Sequence, residues 1–359
     1  MKQWILSLVL VALVALGGWA GPRLVVDQPV YDFGQVPEGM LVQHVYVLRN
    51  VGDAPLNFTQ PPSRTCGCTS VLLTKTVLLP GEQAELTVHF ESTGYGGQSV
   101  KRSLTVYSDD PQAQTQTLTI QGFVRPAQPF EGSAVGLHDH RNYYLLVDLR
   151  DAQAFAQGHL LGAINIPFAE LGSWIPRLPR WPYIYFYDET GAAAAQAAQW
   201  LMDQGFAARA VAGGLVGWWQ ELGGLFFVWA QGAPQTLPSG IPYYGGNPVS
   251  AGQVAQKYLV LLDLRDPQAF AQGHFPGAVN LPRPTLDVLA AWAAALPPRS
   301  ALSAGGGVAI WCLDEDGTSA VQAAQYLWSN GFPLARGLIG GLAQWRLRYG
   351  DELLWPGTP

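Results

Sequence analysis

The sequence predicts a multidomain chain: a β-sandwich over residues 25–124, then two α/β domains with parallel sheets over residues 143–228 and 248–354. Three observations carry this reading. A 20-residue phrase occurs twice, DLRDAQAFAQGHLLGAINIP at Asp148–Pro167 and DLRDPQAFAQGHFPGAVNLP at Asp263–Pro282, and only five positions differ (Ala152/Pro267, Leu160/Phe275, Leu161/Pro276, Ile164/Val279, Ile166/Leu281). Residues 25–124 alternate apolar and polar positions between turn residues, as strands with one buried face require. Beyond each copy of the repeated phrase, short apolar strands alternate with Ala- and Leu-rich helical stretches, the pattern of a parallel sheet covered on both faces.

The chain starts MKQWILSLVLVALVALGGWAGP, with one basic residue, an apolar run from Trp4 to Leu16 interrupted by Ser7 alone, and small residues ending in Gly18-Trp19-Ala20. This is the pattern of a secretory signal with cleavage after Ala20. Its competitor is an uncleaved anchor, since Trp4–Gly21 is about long enough to cross a bilayer. Either reading of residues 1–20 places the remainder outside the cytoplasm, tethered through the N-terminal segment if that is retained.

Residues 25–124 contain VYDFGQVPEG, HVYVLRNVGDAPLNF, LPGEQAELTVHF, VKRSLTVYSDD and TQTLTIQGFV, each a strand flanked by Gly, Pro, Asn or Asp. Val45 and Val47, and Leu86, Val88 and Phe90, mark the expected buried faces. Short strands at this spacing suit a sandwich of about 100 residues. The motifs Asp32-Phe33-Gly34, Asn50-x-Gly52, Cys66-Gly67-Cys68-Thr69, Pro80-Gly81-Glu82 and Asp109-Asp110-Pro111 resemble a bacterial Ig-like family of unknown function, related to HYDIN-type and major-sperm-protein-like sandwiches. The resemblance implies a fold and an extracytoplasmic setting rather than an activity.

Residues 125–142 and 229–247, rich in Gly and Pro, read as linkers. Within each repeat, strands at Tyr183–Tyr187 and Ala309–Leu313 precede helices at Ala192–Gln204 and Thr318–Asn330, and a lead helix is expected at Ser250–Gln256. The stretch from Pro282 to Gly317 exceeds that from Pro167 to Gly191 by eleven residues, 35 against 24, and the excess falls in ALPPRSALSAGGG.

Two further matches follow each copy of the phrase: Gly191 to Phe206 against Gly317 to Phe332, then Gly213-Gly214…Trp218 against Gly340-Gly341…Trp345. With Asp-x-Arg, Phe-x-x-Gly-His and Gly-Ala-x-Asn-x-Pro, these words resemble the rhodanese family. The family's nucleophilic Cys stands three residues before the Gly of the loop, and its Arg five residues after that Cys. Here the Cys positions hold Asp188 and Asp314, and the Arg positions Ala193 and Ser319.

The resemblance implies a loop whose backbone N–H groups converge beside a helix N-terminus, where an anion is favoured and a thiol is activated. Sulfur transfer through a persulfide needs a soft nucleophile there, and a carboxylate cannot supply it. Asp188 and Asp314 read as helix caps, the alternative being a site for a cation or a basic partner segment. Cys312 is the competing nucleophile; ungapped alignment sets it opposite Phe186, inside the strand, where a Cys is an apolar filler. Asp148, Arg150, Asp263 and Arg265 read as ties between the first strand and nearby loops, and His159 and His274 as hydrogen-bonded structural residues. His138 and His140 supply too few ligands for a metal.

Cys66 and Cys68 leave three readings open: a structural disulfide or packed loop, a redox-active pair, or a soft-metal site. A charged content of 13%, a net charge of −6 and four Lys exclude the basic surface that nucleic-acid binding needs. No cofactor is expected. The function read here is a non-catalytic, extracytoplasmic binding or scaffolding protein whose partner is another protein or an envelope component. The alternative is thiosulfate sulfurtransfer or persulfide handling through Cys312 or Cys66/Cys68.

Overall fold

Alternating side chains fix the sandwich. In the computed structural model, which describes residues 21–139, 142–298, 301–302 and 307–357, the strand Gln83–Glu91 buries Ala84, Leu86, Val88 and Phe90 and turns the residues between them outward. One sheet runs Leu24–Val26, Leu41–Asn50, Gln83–Glu91, Thr69–Leu73; the other runs Val30–Pro37, Thr115–Arg125, Gln98–Ser108, Leu56–Arg64, Val77–Leu78. Strand Leu41–Asn50 corrects the expected phase: Val42, Tyr46, Leu48 and Asn50 face the core, and Val45 and Val47 lie on the other face. Tyr46 can be buried because its hydroxyl donates to the Thr119 carbonyl (2.7 Å), which leaves only apolar ring against the core. Asn50, fully buried, donates to the carbonyls of Ala54 and Leu78 and accepts from Gly52 N–H, so the Asn-x-Gly word closes the turn.

Each repeat builds a five-stranded parallel sheet, and the chain is multidomain with a β-rich Ig-like region followed by an α/β region. The first sheet runs Ala163–Asn165, Tyr144–Asp148, Tyr183–Tyr187, Ala208–Val211, Pro248–Val249; the second runs Val279–Asn280, Lys257–Asp263, Gly307–Leu313, Arg336–Leu338, Glu131–Gly132. Central strands are buried along their length, as in Gly307–Leu313, because helices cover both faces. The helices Ala192–Met202 and Thr318–Ser329 present Ala194, Ala197, Ala198, Leu201 and Ala320, Ala323, Ala324, Leu327 to the sheets. Small residues on these faces let helix and sheet approach closely.

The edge strands are exchanged. Glu131–Gly132 precedes the first repeat in sequence but pairs with Arg336–Leu338 of the second, while Pro248–Val249 precedes the second repeat but pairs with Ala208–Val211 of the first. The helix after each edge strand follows it: Ala134 and Leu137 pack with Leu342 and Trp345, and Ala251, Val254 and Ala255 with Leu215 and Trp218. Ser133 and Ser250 cap these helices, accepting from the N–H of Gly136 (3.0 Å) and Gln253 (3.1 Å). Residues 125–142, expected as a linker, therefore carry a strand and a helix of the fold. His138 ends that helix, stacked on Tyr349 with centroids 4.0 Å apart. The lead helix expected at Ser250–Gln256 is present as Ala251–Ala255.

The repeats meet about a pseudo-two-fold relation. Tyr258 donates its hydroxyl to Leu161 O (2.6 Å) and its equivalent Tyr143 to Pro276 O (3.1 Å). At the centre Gly162 meets Gly277; a Cβ on Gly277 would sit 2.2 Å from Gly162 O, so only glycine fits. Core residues of both repeats, among them Tyr187, Trp218, Tyr258 and Leu262, form one cluster. The signal or anchor expected at residues 1–20, and His140, lie outside the described residues, as does part of the insertion ALPPRSALSAGGG. Among the described residues no helix is long and apolar enough to cross a membrane.

Candidate functional site

The loop at the carboxyl end of each central strand is set by glycine. Gly191 and Gly317 take φ +90° and +86°, a left-handed turn that sends the chain into the following helix. The Gly-Gly pairs let a second helix N-terminus reach the loop: Leu215 and Val216 N–H donate to the carbonyls of Asp188 and Glu189 (2.9 and 3.0 Å), and Leu342 and Ala343 N–H to those of Asp314 and Glu315 (2.8 and 3.0 Å).

Into each loop points a carboxylate. Asp314, 7% exposed, accepts Gly317 N–H at Oδ1 (2.6 Å) and Ser319 and Ala320 N–H at Oδ2 (2.7 and 3.1 Å). Asp188, half-buried, accepts Ala194 N–H at Oδ1 (3.0 Å) and Thr190 N–H at Oδ2 (3.4 Å). These are the convergent donors that would otherwise receive an anion, and the chain's own side chain occupies them. Burial pushes the Asp314 carboxyl above its ordinary range; the three N–H groups oppose that push and Asp316 adds to it.

Beneath each loop lies the same clamp. Arg150 donates from Nε and Nη2 to Asp148 (3.0 and 2.7 Å) and from Nη2 to Gly158 O (2.7 Å); Arg265 repeats this on Asp263 (3.0 and 2.7 Å) and Gly273 O (2.7 Å). His159 and His274 stack on Phe155 and Phe270, with Nδ1 3.0 and 2.9 Å from those residues' carbonyl oxygens. Burial lowers both His pKa values. The bidentate pair and the ring stacked on its own turn hold geometry, and the remaining Nη1 of each Arg lies 3.9 and 3.8 Å from Glu189 and Glu315 of the loop above. Asn165 and Asn280 complete the clamp, each donating to the carbonyls of the Asp and Arg beside it (3.1 and 2.8 Å). Sequence reasoning missed their role, though both stand in the duplicated phrase.

Cys312 is fully buried in the central strand, registered with Leu262 on one side and Gly337 on the other. Its equivalent is Phe186, paired with Val147. Burial, with Asp314 nearby, pushes this thiol far above its ordinary value. A protonated thiol without solvent access is not a nucleophile.

The two mouths differ. Over the first loop lies the segment expected as a linker: Tyr243 N–H donates to Thr190 O (2.8 Å), Gly213 N–H to Tyr243 O (2.9 Å), and Ser239 N–H to Glu189 Oε1 (3.0 Å). Glu315, Asp316, Thr318 and Ser319 of the second loop are exposed, with Arg265 and Arg346 paired to Glu315. Among the described residues no group of three or more His, Cys, Asp or Glu side chains could hold a metal. An apolar cavity of about 460 Å³, lined by Leu296, Pro297, Tyr326, Phe332 and Leu334 among others, opens at the amino end of strand Gly307–Leu313, away from Asp314. In the sandwich, Cys66 and Cys68 are joined in a disulfide, Cα–Cα 5.3 Å.

Comparison with known proteins follows this division. The model of the HYDIN/CFA65/VesB-like Ig-like domain matches residues 22–123, and that of the rhodanese-like domain matches 134–221 and 249–348, together just over half of the chain. Among solved structures, a protein of unknown function from Porphyromonas gingivalis W83 is 18% identical, covering 32% of this chain and 51% of its own, with a TM-score of 0.26. A rhodanese-related protein from Thermoplasma volcanium is 26% identical over 25% of this chain and 91% of its own (TM-score 0.22). A thiosulfate sulfurtransferase from Pseudomonas aeruginosa is 23% identical over 61% of this chain and 41% of its own (TM-score 0.22). This chain thus spans about half the length of the Porphyromonas protein. It belongs to the rhodanese-like domain family, carrying two copies of that domain behind a HYDIN/VesB-like Ig domain.

Proposed function

We propose that this chain is a non-catalytic member of its family, a binding or scaffolding protein outside the cytoplasm. One observation carries the reading: in both repeats an aspartate carboxylate takes the backbone donors that a reactive thiolate and its anionic donor would need. A carboxylate oxygen forms no persulfide, and its charge opposes thiosulfate at the same spot. Sulfur transfer through Cys312 would require the central strand to leave its sheet, at the cost of the pairing with Leu262 and Gly337. The apolar run Trp4–Leu16 and a disulfide at Cys66–Cys68 support an oxidising setting outside the cytoplasm. The partner proposed is another protein or an envelope component.

The test is the full chain given thiosulfate and cyanide, with thiocyanate measured. Formation no faster than without protein is expected. Turnover that Cys312→Ser abolishes would overturn the reading.

A further inference from the structure

The Cys66–Cys68 disulfide plays no part in the rhodanese-like repeats, and its surroundings in the sandwich are not those of a staple. It closes a ring of three residues, Cys66-Gly67-Cys68, between strands Leu56–Arg64 and Thr69–Leu73. A cross-link that short removes little entropy from the unfolded chain. The loop is already held without it: Thr65 N–H donates to Ser103 O (3.2 Å), Glu91 N–H to Cys68 O (3.0 Å), and Arg64 Nη1 to Thr69 O (2.7 Å). Thr69 is buried while Gly67 at the tip is exposed and both Cys are half-exposed, so a rigid base presents the sulfurs to solvent.

The two sulfurs are unequal. Arg102 donates from Nε to Cys68 Sγ at 3.3 Å. Among the described residues Cys66 Sγ accepts a neutral donor at such range, the N–H of Cys68 (3.0 Å), and the Thr69 hydroxyl lies 3.9 and 3.8 Å from the two sulfurs. A guanidinium carries a positive charge that attracts a thiolate and lowers its pKa, which a neutral amide lacks. When the bond opens, the negative charge belongs on Cys68, and the sulfur open to attack is Cys66.

We propose that Cys66–Cys68 is a thiol–disulfide exchange site that takes electrons from dithiols. A partner thiolate attacks Cys66 Sγ, a partner–Cys66 disulfide forms, and the Cys66–Cys68 bonding pair leaves on Cys68 Sγ beside Arg102. The partner's second thiol, deprotonated, then attacks its own sulfur in the mixed disulfide and releases Cys66 as a thiolate. The two protons of the partner dithiol end on Cys66 and Cys68; the partner is oxidised by two electrons and the protein disulfide reduced by two. A dithiol matches because Cys68, two residues from Cys66, expels a monothiol before a second one arrives, whereas a tethered second thiol competes with that reclosure.

The experiment uses the oxidised full chain, with dithiothreitol and glutathione as probes at equal thiol concentration and alkylation mass shifts as the readout. Dithiothreitol is expected to open the disulfide in the folded protein, with Cys312 staying unlabelled as the internal sign that the fold persists. Glutathione is expected to give net reduction far more slowly. Arg102→Gln should slow opening by about three- to tenfold and Arg102→Lys should retain most of the rate, since a better leaving thiolate leaves faster. Independently of reduction, the lone thiol at Cys68 in Cys66→Ser should alkylate several-fold faster near neutral pH than the one at Cys66 in Cys68→Ser. A disulfide that opens only on unfolding, an unchanged rate in Arg102→Gln, equal net reduction by glutathione, or the reverse order of thiol reactivity would each overturn the proposal.

Discussion

The two α/β repeats share their floor and differ at their mouth. Four hydrogen bonds from Arg150 to Asp148 have lengths of 2.9, 3.0, 3.2 and 2.7 Å, and those from Arg265 to Asp263 are 3.0, 3.0, 3.2 and 2.7 Å. Above that floor, Asp314 is buried and held by three backbone N–H groups, whereas Asp188 is half-buried, held by two, and roofed by residues 239–243. In both repeats the Asp–Arg–His floor forms beneath a loop that carries an aspartate, so its geometry does not depend on a cysteine in that loop.

The largest effects should be common to both repeats. Trp218 and Trp345 are fully buried and donate their indole N–H to Leu225 O and Glu352 O, both at 2.7 Å. Truncating either to Ala should cost about 3–5 kcal/mol. Because each lead helix packs on the other repeat and core residues of both merge, each variant should shift the unfolding of both repeats together. Denaturant unfolding followed by hydrogen exchange checks this; loss of one repeat while its neighbour keeps full protection would break the equivalence.

Truncating the two carboxylates should sharpen the difference. Asp314→Ala leaves two buried donors and one part-buried donor without a partner and should cost about 2–3 kcal/mol; Asp188→Ala leaves two in a wetter site and should cost about 1 kcal/mol. Urea midpoints of the two variants measure the contrast. Equal costs would mean that the deeper burial of Asp314 has no energetic consequence.

The same two positions should differ in the reactivity of an introduced thiol. Asp314→Cys places it in the burial that already outweighs the Gly317, Ser319 and Ala320 N–H groups for the carboxyl, so its pKa should rise and it should alkylate more slowly than a free cysteine at neutral pH. Asp188→Cys, in the half-buried site, should react faster than Asp314→Cys. Timed iodoacetamide labelling, with Cys312 as the buried control, reads both.

The duplicated phrase revealed the doubled fold because fifteen shared positions encode one strand, one helix and one clamp, all local in sequence. The resemblance to the rhodanese pattern located Asp188 and Asp314, and register between the two copies located the strand position of Cys312. The exchange of edge strands was hidden, since Glu131–Gly132 and Pro248–Val249 are two residues long and carry no period. Ser133-Ala134 matched against Ser250-Ala251 was the available signal for the first lead helix, but nothing local says which sheet such an element joins. The strap over Asp188 was hidden for a related reason: it is bound through the backbone of Tyr243, and backbone bonds leave no mark in side-chain chemistry. The phase error at Val45 and Val47 arose because Tyr46 reads as polar until its hydroxyl finds Thr119 O.

The smallest effect is a pH dependence that belongs to one repeat. His159 and His274 are held below their ordinary pKa, so each contributes stability that is present above about pH 6.5 and lost as pH falls. Asp314 has the opposite sign: burial raises its pKa, so the folded state holds that proton more tightly than the unfolded chain. Its contribution is fullest below about pH 4 and is lost as pH rises through the raised value. Asp314→Asn deletes this dependence and keeps both histidines. As pH falls from 7 toward 4, wild type should therefore gain stability relative to Asp314→Asn even while both proteins weaken through their histidines. Melting temperatures of the pair across that range measure it. A gap that is flat, or that moves against wild type, would mean that the N–H groups from Gly317, Ser319 and Ala320 outweigh burial, leaving the second site a better anion nest than its depth suggests.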